Sequence, residues 1–214
     1  MVDPAEREAI LKRALTYPYA TPEDSYLYRD GQATELPKDF DLGGRTPLIS
    51  YGANAAPEAL ALKLASLPEE PLPVVRSELH GFDVVYSAHV SPYGAVPATL
   101  LESPGAVAPV FVLYPTAEQQ ALLTATELNY DLVDLNGMGA YRSKHGCLRI
   151  DGSPIALAAI RSRGRTLPEL DEPAVLEHVR AQLEPALELE EFIHACIDRG
   201  GIKPLRIDAG RRGR

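Results

Sequence analysis

Apolar residues at every second position mark the strand-forming parts of this chain. Over residues 82–89 the side chains Phe, Val, Tyr and Ala alternate with Asp, Val, Ser and His. A period of two places each set on one face of a strand. On this basis strands are predicted over residues 48–51, 74–79, 82–90, 95–102, 108–114, 130–135, 146–150 and 154–160. Asp151-Gly152 is a typical hairpin-turn pair between the last two of these strands.

Helices are predicted where apolar residues recur at helical spacing behind a capping residue. Asp3 is a candidate N-cap followed by Pro4, and the helix after it carries an apolar stripe that reaches Leu15. Thr116 and Gln119 form a capping box that opens a helix ending at Glu127. Further helices are predicted over residues 55–67, from Glu172 to about 183, and after Pro185 to about 198.

Strands joined by turns and mixed with a few helices favour an α+β fold over a regular βαβ alternation. Residues 16–46 contain Pro, Gly, Asp and four tyrosines, and are interpreted as an irregular extension that packs over the domain or covers its pocket. Residues 136–139 are predicted to be a flexible loop. The chain is therefore divided into an N-terminal helix and extension (1–46), a central domain (47–165), and C-terminal helices with a basic tail packed on that domain (166–214).

Composition narrows the classes of function. The chain has 214 residues, 45% of them hydrophobic, a formal charge of −9 and a pI near 5.1. Nucleic acid is an unsuitable partner because phosphate binding requires a basic face, and the basic tail 211–214 is expected to fray. No apolar run is long enough for a membrane span and no signal peptide is visible, so a cytoplasmic location is expected.

The metal-binding residue types show no motif. Cys147 and Cys196 lack metal-type spacing, and the five histidines are scattered. No metal site is therefore predicted. The two cysteines are expected to be reduced core residues, although a disulfide between them is an open alternative.

The stretch from Tyr51 to Asn54 follows the first apolar strand. Gly52 permits a tight turn, and Asn54 is placed to cap the helix that follows. Free backbone N–H groups at such a strand-to-helix turn can bind a carboxylate, a phosphate or a polarised carbonyl. Many turns of this kind bind nothing, so the loop alone does not identify a site.

Downstream features give the loop a context. Tyr51-Gly52-Ala53-Asn54 is followed by an Ala-Thr strand, then by Ser103-Pro104-Gly105, and then by the helix that ends at Glu127. Over roughly residues 47–160 this order resembles the gamma-glutamylcyclotransferase-like family. That family has a Tyr-Gly-Ser-Asn loop, a Ser-Pro-Gly turn and a catalytic Glu at a helix end. Two positions depart from its pattern, with Ala53 in place of the usual Ser and Leu128 in place of a Gly.

The resemblance implies a fold and a chemistry. The fold would be a small mixed β-barrel or curved sheet flanked by helices, with helical N- and C-terminal additions. The α-amine of a γ-glutamyl group would attack its own γ-carbonyl, forming 5-oxoproline and expelling an amine, with no metal or cofactor. Glu127 would be the acid and base in turn, and the amides of Gly52, Ala53 and Asn54 would hold the substrate. Tyr51 and Tyr130 would complete the binding site for a small γ-glutamyl substrate.

Several alternatives remain open at this stage. The chain could release a γ-glutamyl group from a larger amide, or it could be a non-catalytic module that keeps the fold and binds a metabolite or a partner protein. Tyr130 could equally be a core residue, and Glu127 a solvated helix end. His89 shares a strand face with Ser87 but has no acid partner in the sequence, which argues against a serine hydrolase. The basic loop 141–145 could attract an anionic group. The sequence leaves the oligomeric state undetermined.

Overall fold

The computed structural model describes residues 4–205, which form a mixed α+β fold. One large, mostly antiparallel sheet is accompanied by five α-helices, so the predicted α+β class is confirmed. The helices are α1 (Pro4–Leu15), α2 (Pro57–Lys63), α3 (Ala117–Thr126), α4 (Glu172–Leu183) and α5 (Leu189–Asp198). The proposed cap Asp3 and the basic tail 211–214 lie outside the described residues.

The sheet takes strands from most of the chain. The strands are β1 (Tyr26–Arg29), β2 (Gln32–Glu35), β3 (Leu48–Ser50), β4 (Leu72–Tyr86), β5 (Ala98–Leu113), β6 (Tyr130–Leu135), β7 (Met138–Ser143), β8 (Arg149–Ile150), β9 (Ser153–Pro154), β10 (Ala156–Leu157) and β11 (Glu169–Leu170). The large sheet has the order β11-β10-β4-β5-β3-β7-β6, with β1 paired to both β2 and β4, whereas β8 and β9 form a separate two-stranded sheet. β3 and β7 are parallel, as are β10 and β11, and the remaining pairs are antiparallel.

β4 and β5 form one long ribbon where the sequence predicted four separate strands. Their pairing runs from Val74 opposite Leu113 to Tyr86 opposite Ala98, with an irregularity between His80 and Phe82. The predicted Ser-Pro-Gly turn at 103–105 is instead part of a bulge inside β5, which corrects the sequence prediction. Gly105 has φ +87° there, a conformation that favours glycine. Bulges bend a ribbon without ending it, and they tolerate proline because a ladder N–H is not required.

Two hairpins correct the prediction of irregular segments. Residues 16–46 contain the β1–β2 hairpin, whose turn residues Asp30 and Gly31 have φ +46° and +72°. The supposed flexible loop at 136–139 is a tight turn between β6 and β7, with φ +57° at Asn136 and +82° at Gly137. Both turns have the positive dihedrals that two-residue hairpin loops require. The Asp151-Gly152 hairpin turn is confirmed between β8 and β9.

The helix after β3 differs from its prediction. It was predicted over residues 55–67 with Asn54 as its cap, but α2 is limited to Pro57–Lys63 and its N-cap is Ala56. Asn54 lies in a short 3-10 turn, Ala53–Ala55. Pro57 sits at the first turn of α2, where a missing N–H costs nothing. Asn54 is therefore not a cap, and its side chain is available for other contacts.

The buried side chains pack on both faces of the sheet. Leu48 belongs to a cluster with Leu60 and Leu123, near α2 and α3. Ile49 belongs to a larger cluster that includes side chains of α4 and α5. Consecutive strand residues point to opposite faces, so α2 and α3 cover one face of the sheet and α4 and α5 cover the other. Among residues 4–205, no helix is long and apolar enough to cross a membrane.

Candidate active site

A pocket of about 310 Å³ opens between the loop after β3, the C-terminal end of α3 and the connection from β4 to β5. This volume is near the lower end of the range for small-molecule sites, about 300–1,000 Å³. Every residue that the sequence nominated for the site lines this pocket, namely Tyr51, Gly52, Ala53, Asn54, Glu127 and Tyr130. The structure therefore brings these residues together, although they are separated by up to 79 positions, from 51 to 130.

Glu127 lies at the C-cap of α3, as predicted, behind a helix that starts with the Thr116 and Gln119 capping box. Its side chain is only 12% exposed. Oε1 accepts a hydrogen bond from Asn54 Nδ2 at 3.0 Å. The same oxygen pairs with Lys63 Nζ at 2.6 Å. The carboxylate is thus held beside the Gly52–Asn54 loop.

Lys63 is a site residue that sequence reasoning missed. It stands in the last turn of α2, where a cation is expected simply because it offsets the helix dipole. No motif in the sequence signals its contact with Glu127, which is 64 positions away. Only the folded arrangement of α2 against α3 shows the pair.

The loop after β3 contains polar groups that form no hydrogen bond with the described part of the protein. Within residues 4–205, the backbone N–H groups of Gly52, Ala53 and Asn54 have no hydrogen-bond acceptor. Asn54 Oδ1 and Ser50 Oγ are buried and likewise have no partner in this part of the chain. Buried polar groups are normally paired, so these two unpaired oxygens, with the loop N–H groups beside them, make the loop a candidate place for a ligand. Ala53 offers a backbone N–H to the pocket but no side-chain hydroxyl.

Gly52 is required by the close approach of Tyr17. A Cβ atom at position 52 would lie 2.6 Å from Tyr17 Oη. That hydroxyl accepts the N–H of Ala98 at 2.9 Å and lines the pocket. The sequence placed Tyr17 only in a tyrosine-rich extension. Tyr17 is therefore a second residue whose position in the pocket wall the sequence did not reveal.

Tyr51 and Tyr130 form an anchored part of the wall. The hydroxyl of Tyr51 donates to the carbonyl of Tyr141, and the hydroxyl of Tyr130 donates to the carbonyl of Ala98 at 2.8 Å. Burial raises the pKa of both phenols, and the nearby Glu127 carboxylate raises the pKa of Tyr51 further. Both hydroxyl protons are committed to the backbone, so these rings contribute shape and an acceptor oxygen rather than a proton.

His89 lines the pocket as a neutral ring. Burial, reinforced by the nearby His145, lowers its pKa to about 3. Its Nδ1 and Ser87 Oγ are 2.7 Å apart. Within residues 4–205 His89 contacts no carboxylate, and Ser87 does not line the pocket. The arrangement therefore lacks the geometry of a serine hydrolase.

Residues 141–143 of the predicted basic loop belong to strand β7, and the side chains of the segment 141–145 contact other parts of the protein. Tyr141 lines the pocket, while Arg142 lies 3.8 Å from Glu102. Lys144 donates to the carbonyl of Leu128, and His145 Nε2 lies 3.3 Å from Asn129 Oδ1.

Cys147 and Cys196 are both free, so the disulfide alternative is wrong.

The charged side chains of the pocket are Arg13, Lys63 and Glu127. Arg13 lies over the ring of Tyr93, with 5.1 Å from Cζ to the ring centroid. Two cations and one anion make the pocket positive in a chain whose formal charge is −9. An anionic group, such as a carboxylate, is therefore a suitable ligand here. No group of three or more His, Cys, Asp or Glu residues suitable for a metal ion occurs among residues 4–205.

Comparison of the chain with protein-family models, with curated proteins and with solved structures gives no match.

Proposed function

We propose that this chain is a cyclotransferase-like enzyme that closes a γ-glutamyl group to 5-oxoproline and releases an amine or amino acid. The observation that carries the proposal is the position of Glu127. Its carboxylate is nearly buried in a pocket and hydrogen-bonded to Asn54, in a loop with three N–H groups that have no acceptor among the described residues. The finer fold implied by the resemblance, a barrel or curved sheet of the gamma-glutamylcyclotransferase type, is part of the same proposal.

The reaction needs a proton acceptor that later becomes a donor. Glu127 would take a proton from the α-ammonium of the substrate, and the freed amine would attack the γ-carbonyl carbon. A new C–N bond closes the five-membered ring, and the carbonyl oxygen becomes negatively charged for a moment. When the bond to the leaving nitrogen breaks, Glu127 returns this proton to that nitrogen and the carbonyl forms again. The ring nitrogen still carries a second proton, which Glu127 would take and pass to the released amine. Both protons then move from the α-ammonium to the leaving amine, nothing else is consumed, and one carboxylate acts twice.

The loop after β3 supports the two other requirements of this step. The N–H groups of Gly52, Ala53 and Asn54 would hold the substrate carboxylate or the negatively charged oxygen. Asn54 Oδ1 has no donor within residues 4–205, and it would bind the α-ammonium next to Glu127. Because the backbone amides need no side chain at position 53, Ala53 is compatible with this arrangement.

A second candidate function is a non-catalytic binding module with the same pocket. It is favoured by the ion pair between Lys63 and Glu127, because the carboxylate already has a cationic partner at 2.6 Å. In that case Glu127 would join α2 to α3 rather than act on a substrate. The two functions differ in whether product forms, so turnover separates them.

The test is a product assay with a matched pair of variants. Purified protein is incubated with γ-glutamyl amino acids, glutathione, γ-glutamyl amines and a γ-glutamyl-lysine peptide, and 5-oxoproline is measured by mass spectrometry. Glu127→Gln should lower turnover about 100-fold or more but remain folded, because the amide oxygen still accepts from Asn54 and Lys63. Glu118→Gln makes the same change at an exposed position of α3 and should act like wild type.

Two outcomes would contradict the proposal. An active and folded Glu127→Gln variant would exclude Glu127 as the proton-transfer group. Binding of γ-glutamyl compounds without product, measured by calorimetry, would favour the binding module.

A further inference from the structure

Two exposed leucines stand at the mouth of the pocket. Leu62 is 62% exposed and Leu128 is 74% exposed, and both line the pocket. They are the most exposed of the four large apolar side chains that lie open to solvent among residues 4–205. The other two, Leu42 and Leu132, do not line it. Single surface leucines need no explanation, but a pair at the rim of one pocket indicates an interaction site.

The chain places the two leucines beside the acid of the site. Leu62 precedes Lys63 at the end of α2, and Leu128 follows Glu127 at the end of α3. The 2.6 Å contact between Lys63 and Glu127 keeps the two helix ends together. The two leucines are therefore the chain neighbours of the ion-paired residues, and they line the same pocket.

We propose that the pocket selects γ-glutamyl compounds whose leaving amine carries an apolar side chain, such as a branched aliphatic amino acid, and that Leu62 and Leu128 bind that side chain. The inference rests on the proposed function and adds the class of leaving group. Polar recognition of the γ-glutamyl part would belong to the loop after β3, whereas Leu62 and Leu128 add apolar surface for the amine part. Burying one such side chain against two leucines removes apolar area from water on both partners.

The test compares γ-glutamyl-leucine with γ-glutamyl-glycine, which differ only in the side chain of the leaving amino acid. Wild type should show a kcat/KM about 10-fold or more higher for the leucine compound. Leu62→Ser and Leu128→Ser should each reduce this preference about 3- to 10-fold, with little change for the glycine compound. Leu132→Ser is the matched control, because Leu132 is 45% exposed on β6 and lies outside the pocket.

Equal kcat/KM for the two compounds, or a preference that survives in both rim variants, would overturn the inference while leaving the cyclotransferase proposal intact. If neither compound is turned over, the same comparison is made with dissociation constants from calorimetry. Suppose that the leucine compound binds more tightly to wild type and that the rim variants lose this difference. This result would support binding of the side chain by Leu62 and Leu128 and would refute the proposed enzymatic activity. If neither compound binds, or if both bind equally well, the proposal that Leu62 and Leu128 bind the side chain is overturned as well.

Discussion

Gly52 is the residue whose size most tightly limits the pocket wall. Tyr17 Oη occupies the space next to it and accepts the N–H of Ala98, which is the first residue of β5. A methyl group at position 52 would have to displace this buried hydroxyl and break its hydrogen bond. The loop that carries the free amides is thus packed directly against the segment that follows α1.

Gly52→Ala should destabilise the protein by about 1–3 kcal/mol, because overpacking at a closely packed contact costs this much. Tyr17→Phe removes the hydroxyl and should cost about 1–3 kcal/mol through the unpaired N–H of Ala98. The double variant should lose less stability than the sum of the losses in the two single variants, because the methyl group of Ala at position 52 then fills the space left by the Tyr17 hydroxyl. Urea unfolding of the four proteins measures this. Strictly additive losses would show that the two residues do not compete for space.

Single residues of the pocket differ in how far the sequence reveals them. Asn54 and Glu127 stand in a recognisable order along the chain, which is why the sequence nominates them, and both line the pocket. Lys63, Tyr17 and Arg13 were not, because each has an ordinary local reason to be where it is. Their roles come from contacts between segments far apart in sequence, which local spacing does not encode.

At the scale of elements, a buried ion pair joins β4 to the segment before β11. Arg165 and Asp83 are 7% and 0% exposed, and Nη2 lies 2.8 Å from Oδ1. Burial alone would raise the pKa of Asp83, but hydrogen bonds from Arg165 and Ser162 outweigh it and leave the pKa lowered. The carboxylate is therefore charged and fully dependent on its partners.

Arg165→Met should cost about 3–5 kcal/mol, because it leaves a buried charge without its partner. Adding Asp83→Asn should recover part of this loss. Arg163→Met is the control, since Arg163 and Glu78 form an exposed pair whose loss should cost far less than that of the buried pair. Denaturant unfolding at neutral pH compares the three variants. A loss at Arg165 no larger than that at Arg163 would refute the role assigned to the buried pair.

Elements with their own capping or turn chemistry were predicted well from sequence. The capping box of α3 and the Asp151-Gly152 turn specify their local structure, and both were confirmed. The β1–β2 hairpin was missed although Asp30-Gly31 is an equally strong turn signal. Its strands have four residues each, and only β1 pairs with another strand of the sheet, β4. The continuity of β5 was missed because Ser103-Pro104-Gly105 predicts a turn, and only the pairing with β4 shows a bulge.

At the scale of the whole molecule, two buried titratable groups give opposite pH dependences of stability. Glu172 is 2% exposed and accepts the N–H of Val96, while Oε2 has no partner within residues 4–205. Burial, with a contribution from Asp171, raises the pKa of Glu172 well above its ordinary 4.5. The contribution of Glu172 to the free energy of unfolding is therefore complete below about pH 4.5. It is lost as the pH rises towards the folded-state pKa. His89 has the opposite effect, because its folded-state pKa of about 3 lies below the ordinary 6.5. Its contribution to the free energy of unfolding therefore decreases as the pH falls below 6.5.

Glu172→Gln should gain stability relative to wild type as the pH rises. The amide oxygen still accepts from Val96, and no charge has to be buried. The free energy of unfolding of the variant minus that of wild type should increase by about 1–3 kcal/mol between pH 4.5 and pH 7.5. Urea unfolding of both proteins at several pH values tests this difference, which cancels the contribution of His89. Parallel curves would show that Glu172 is already charged in the folded protein.

The tyrosines of the pocket have a spectroscopic consequence. The chain has ten tyrosines and no tryptophan, and five of the tyrosines line the pocket, namely Tyr17, Tyr51, Tyr93, Tyr130 and Tyr141. Its ultraviolet emission therefore comes from tyrosine alone, and half of the emitting rings border the same cavity. A ligand that enters this cavity changes the surroundings of these rings directly. Intrinsic fluorescence and near-ultraviolet circular dichroism thus report occupancy without any attached label.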